Sequence, residues 1–219
     1  MTQEKAKQFI SAWKTELISS VVILACLLLI IFFPTQDISQ KFSLNLFFFF
    51  LLPILYIKLI LKKDLRNFGF NLQNTKIGII WAIGMFFVSA LIIFILIHFF
   101  DFENKYLLPA YLAQNFGIFL LYELILVNIL LFIQEFFFKG FILFLFSEKF
   151  GFAVAIIQAL IFTFFLLFTN DLTWKLAPLI ILSFTGGVVT YKSRSFLYSY
   201  LMSLFFLIIL DTYIIYLFK

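Results

Sequence analysis

The sequence predicts an all-α polytopic membrane protein, a bundle of about seven transmembrane helices preceded by a short N-terminal interfacial helix. Three observations lead there. Of 219 residues, 64% are hydrophobic and only 12% are charged, where a soluble domain carries roughly 25% charged residues. The apolar residues fall in repeated runs close to the roughly 20 residues that cross a bilayer as a helix. The alternating segments of about 10 residues that build a membrane barrel do not occur in the sequence.

The elements follow in order. Ala6, Phe9, Ile10, Trp13 and Leu17 recur at helical spacing, with Lys5, Lys7 and Lys14 around them. Residues 1–15 therefore read as an amphipathic interfacial helix leading into the membrane. The run after it is long for a secretory signal, and Pro34-Thr35-Gln36 is no small-residue cleavage site. Spans are expected at about 17–33, 43–61, 76–98, 116–139, 150–168, 175–191 and 195–218, so residues 16–219 form a single transmembrane domain. The fourth run can extend through Phe146, giving a long or broken helix. Pro53 is expected to kink the second, because it lacks an N–H and its ring disturbs the preceding turn. The sequence shows no internal repeat, which removes support for an inverted-repeat transporter plan. No soluble domain and no long tail are expected.

Net charge is +5. The basic residues sit between the apolar runs, so they report topology rather than affinity for nucleic acid, which is not an expected partner. With the N-terminus inside, the inner segments hold Lys5, Lys7, Lys14, Lys62, Lys63, Arg66, Lys76, Lys139, Lys149, Lys192 and Arg194. The outer ones hold Lys41, Lys105, Lys175 and Lys219, together with the acidic Asp101-Phe102-Glu103. An odd number of spans then puts the C-terminus outside. The setting expected is the cytoplasmic membrane of a prokaryote.

An ionisable group in hydrocarbon needs a reason. The fourth segment carries Glu123, Asn128, Gln134, Glu135 and Lys139. Glu123 and Gln134 share one face at ideal helical spacing, and Asn128 and Glu135 share a neighbouring one. Together they form a polar strip expected to point into the bundle. Glu135 and Lys139, at i and i+4, can pair. That pairing, with Asn128 and Gln134 hydrogen-bonding between helices, is the structural reading of the strip. The other is a chemical or transport role. Asp211 and Glu123 each lie about seven residues from the outer end of their spans, roughly 10 Å deep at 1.5 Å per residue. Two acids at one depth can share a proton or hold a cation if their helices are neighbours.

His98, the only histidine, lies at the outer end of the third span and reads as a polar anchor. Catalytic metal sites commonly need three protein ligands, and none is assembled here at a recognisable spacing, so neither a metal nor another cofactor is expected. HExxH, GxSxG, CxxC and Walker patterns are all missing from the sequence. Cys26, the lone cysteine, lies in an apolar run and reads as a small packing residue.

Gln134-Glu135-Phe136-Phe137-Phe138-Lys139-Gly140, followed by Phe141-Ile142-Leu143, resembles the first motif of the CPBP family, the CAAX prenyl endopeptidases and bacteriocin-processing enzymes. That motif reads Glu-Glu-x-x-x-Arg. Here Gln134 stands for the first glutamate, Glu135 keeps the second, and Lys139 replaces the arginine. The stretches Leu65–Phe70, Glu148–Ala155, Gly186-Gly187 and Tyr191–Ser195 resemble the family's flanking turns and helices, so the likeness covers about residues 60–210. Phe162 fits the start of the family's Phe-x-x-x-His motif, but the histidine position holds Leu166. Ser203 and Leu207 stand where a His-x-x-x-Asn motif would fall.

The resemblance implies water activation by a glutamate and a histidine, with further polar groups holding an oxyanion. Leu166 and Leu207 can do neither. The resulting expectation is a catalytically degenerate CPBP-like protein that acts as a membrane scaffold, accessory or partner-binding subunit. Its expected partners are membrane lipid and another membrane protein or a second copy. One alternative is an active, divergent peptidase using Glu135. A further alternative is a small proton- or ion-linked transporter using Glu123 and Asp211.

Overall fold

Neither glycine nor proline occurs between Gln3 and Phe32, so nothing there interrupts a helix. The computed structural model describes residues 3–35, 37–100, 102, 106, 116–169 and 174–217. In it, α1 runs unbroken over Gln3–Phe32, joining the amphipathic stretch to the first span without a turn between them. Pro34 follows at once and ends it. The second span, α2 (Ser39–Ile60), mixes α turns with wider π-helical turns at Phe47–Leu51 and Tyr56–Ile60, on either side of Pro53. Wide turns accommodate a residue that cannot donate to the ladder.

The remaining described helices are α3 (Thr75–Phe100), α4 (Phe116–Phe150), α5 (Ala153–Thr169), α6 (Leu176–Ser193) and α7 (Phe196–Leu217). The described residues are helical or irregular, with no strand. Six of the helices are long and apolar enough to cross a bilayer, and the protein is an integral membrane protein. The exception is α5, whose 17 residues span roughly 26 Å at 1.5 Å per residue, slightly under the ~30 Å hydrocarbon core.

The fourth span takes the long form, continuing past Phe146 to Phe150, because its apolar run carries the helix through Gly140 and stops only at Gly151. That glycine has φ +55° and turns the chain into α5.

Contacts between the connections sort them into two ends. At one end Glu16 of α1 approaches Lys149 of α4 (3.9 Å), and Trp13 packs on Phe150. Asn71 donates to the Arg194 carbonyl (3.1 Å), and Ser195 donates to the Gly69 carbonyl (3.1 Å). Phe152 packs on Tyr191. At the other end Trp174 meets Phe100 and Phe102. Consecutive helices therefore alternate in direction. Lys14, Lys62, Lys63, Arg66, Lys76, Lys149, Lys192 and Arg194 all belong to the first end. Lys139 does not: it is buried inside the bundle. Asp101, Glu103, Lys105 and Lys219 lie outside the described residues.

Phenylalanine fills the centre. Phe49, Phe136, Phe137, Phe138, Phe141 and Phe196 are essentially fully buried, with Phe49 stacked on Phe137 at 4.2 Å between ring centroids.

Candidate functional site

The polar strip of α4 is shaped by two further π-helical stretches, Tyr122–Val127 and Phe136–Ile142. Each wide turn absorbs an extra residue, which shifts the faces beyond it by about 100° relative to an ideal helix. The grouping expected from ideal spacing is changed accordingly. Glu123, Asn128 and Glu135 all face α7. Gln134 instead lines cavities that face α1, α2, α5 and α6.

Glu135 is the best-held of these groups. It is buried and forms an ion pair with buried Lys139. Its Oε2 accepts from Ser199 (2.8 Å) and its Oε1 from Ser203 (3.0 Å), both on α7. Lys139 Nζ also donates to the Leu182 carbonyl of α6 (3.0 Å). One carboxylate thus gathers three donors, filling most of its roughly four acceptor sites. Gly186 makes this closeness possible, because a Cβ there would run into Lys139 Nζ and Ser199 Oγ.

Beside the ion pair is a cavity of about 20 Å³, lined by Gln134, Glu135, Lys139, Phe162 and Ser183 among others. That is room for about one water molecule. Gln134 also lines a larger vestibule of about 300 Å³ with Thr35, Lys41, Asn45, Leu166 and Thr169. Leu166 is buried on α5 and Leu207 on α7. Neither supplies a polar atom to Glu135.

The second polar cluster is at the end opposite the basic loops. Glu123 is fully buried and Asp211 nearly so. The structure brings them together: their carboxyls interact directly, and Tyr106 donates to Asp211 Oδ1 (2.7 Å). Asn128 is half-buried between the two clusters; its carbonyl accepts from Tyr200, and its amide donates to the Leu124 carbonyl (3.0 Å). His98 is exposed on α3 against Phe94 and Phe99. Among the described residues no group of three or more His, Cys, Asp or Glu side chains could hold a metal ion. Cys26 is buried in the α1 core.

Several partners have no motif in the sequence to mark them: Ser199, Tyr200, Tyr106 and Gln158, the last of which is fully buried and donates to the Ser183 carbonyl of α6 (2.9 Å). One signal existed for α7. Ser195, Ser199, Ser203, Leu207 and Asp211 follow one another at four-residue intervals, a largely small and polar stripe along one helix face.

The chain matches no family model, no curated protein and no solved structure.

Proposed function

We propose that the protein is a catalytically silent intramembrane scaffold of the CPBP type, which binds lipid or another membrane protein. The observation that carries this reading is the state of Glu135. The one acid that matches the peptidase motif is held by Lys139, Ser199 and Ser203, and no histidine stands beside it. A base that activates water needs open access to it and a partner to relay the proton. An apolar groove of about 670 Å³ between α1, α4 and α5, lined by Leu24, Leu28, Phe146, Ile161 and Phe164 among others, offers such a partner a seat. The basic end of the bundle belongs inside, which places the N-terminus inside and the C-terminus outside.

The test pairs Glu135→Gln with photo-crosslinkers at Leu24 and Phe164 in lipid nanodiscs. The expected result is a cross-linked lipid or membrane protein in both the parent and the variant. A protein that is monomeric and free of cross-links in both would overturn the reading.

One observation favours a second reading, a divergent Glu135 peptidase. The cavity beside Glu135 shares Gln134 with the vestibule, which would let water in. Loss of all cellular function in Glu135→Gln, with the variant still folded, selects it.

A further inference from the structure

Glu123 sits in the first π-helical stretch of α4 and Asp211 in the last turns of α7. They are 0% and 6% exposed. Phe119 and Ile215 pack together beside them, with Leu120 and Tyr122, so the described surroundings are largely apolar. Tyr106 closes over Asp211 with its 2.7 Å hydrogen bond. Neither Glu123 oxygen has a hydrogen bond of good geometry among the described residues; what faces it is the Asp211 carboxyl. Among the described residues, the titratable groups around the pair are Tyr106, Tyr122 and Lys175. Lys175 is exposed at the start of α6 and supplies one positive charge at a distance. Tyr106 already spends its proton on Asp211.

Two facing carboxylates in a low-dielectric setting repel strongly, and one compensating charge leaves the other unmatched. A single proton removes the conflict: one carboxyl donates to the other, which accounts for the Glu123 oxygens that no other described residue meets. A hard metal cation takes about six or more oxygens, and the described residues here offer two carboxyls and a hydroxyl already committed as donor.

We propose that Glu123 and Asp211 together form a one-proton binding site, a bridged carboxyl pair capped by Tyr106 at the end of the bundle away from the basic loops. The proton lies between the two carboxyls, and the pair titrates as a unit. Loss of the proton leaves two anions, of which Tyr106 steadies only one, so deprotonation drives the outer end of α7 away from α4. The site is independent of Glu135.

Infrared spectroscopy of the full-length protein in nanodiscs tests this. The parent is expected to show a protonated-carboxyl C=O band at neutral pH that is lost on alkalinisation. Glu135→Gln should leave it unchanged, Glu123→Gln and Asp211→Asn should each shift or remove it, and the double variant should lack it. No such band in the parent, or a band that survives in the double variant, overturns the proposal. A second measurement needs no variant. Dicyclohexylcarbodiimide modifies protonated carboxyls in apolar settings. Its adduct, mapped by mass spectrometry, is expected on Glu123 or Asp211 and lost at alkaline pH. Labelling only elsewhere, or protection by sodium or potassium at fixed pH, would overturn the proton assignment.

Discussion

Ser199 of α7 donates a 2.8 Å hydrogen bond to the same Glu135 carboxylate that Lys139 neutralises one turn along α4. The contact ties the two helices through a buried charge. It makes the ion pair a joint between helices.

Removing one charge from this joint strands the other. Lys139→Met is expected to lower stability by about 3–5 kcal/mol, and the double variant Glu135→Gln, Lys139→Met to recover most of it, since a neutral replacement for a buried pair is often tolerated. Unfolding by SDS titration in mixed micelles reads both. Equal losses in the single and double variants would show that the pairing does not matter.

The hydroxyls on α7 carry less. Ser199→Ala and Ser203→Ala are each expected to lose about 0.5–1.5 kcal/mol. Because both donate to one carboxylate, their double variant should lose less or more than the sum, and simple additivity in the same titration would contradict the shared site.

The spans were legible because they depend only on the run of apolar residues, and Leu176–Ser193 and Phe196–Leu217 lie within a few residues of where hydropathy places them. Glu135 with Lys139 was legible as well, because spacing within one helix fixes it. The rest depended on which helix faces which. The π-helical turns of α4 turn Glu123 and Asn128 toward α7, and no apolar periodicity reports a π turn. Tyr106 is distant from Asp211 in sequence, and only the folded chain brings the two within a hydrogen bond.

Small residues on α6 set the next expectation. A Cβ at Gly187 would meet Gln158 Nε2 and lie 3.0 Å from the Ala155 carbonyl of α5, while one at Gly84 of α3 would meet nothing within 4 Å. Gly187→Ala should therefore destabilise by about 1–3 kcal/mol through overpacking. Gly84→Ala should be neutral or stabilise by up to about 1 kcal/mol through helix propensity. Similar effects at both positions, measured by thermal denaturation in detergent, would contradict the close α5–α6 approach.

Outside the membrane, Asp64 caps the single turn Leu65–Phe68 by accepting from the Arg66 amide (3.1 Å). That hydrogen bond holds its carboxyl below the usual carboxylate range, helped by the nearby charge of Lys58. A depressed value means the ordering is fully present above the unfolded value of about 3.9 and is lost as pH falls through the folded value. Hydrogen exchange at the Arg66 amide should stay protected from neutral pH down to about 4 and open below that. Asp64→Asn keeps a competent cap and should flatten the pH response. An unchanged acid response in that variant would assign it elsewhere.

The alternation of the seven described helices fixes which connections share a side. Gln73 lies in the α2–α3 connection at the basic end, and Asp37 lies before α2 at the opposite end; both are exposed. Cys26 is 1% exposed, so native labelling should be low. In intact cells a membrane-impermeant maleimide should label Asp37→Cys from outside and reach Gln73→Cys only after permeabilisation, because positive loops stay in the cytoplasm. The reverse pattern would invert the protein in the membrane. Labelling of both from one side would break the alternation itself, and with it the shared depth of Glu123 and Asp211. The outcome therefore decides which compartment exchanges protons with that pair.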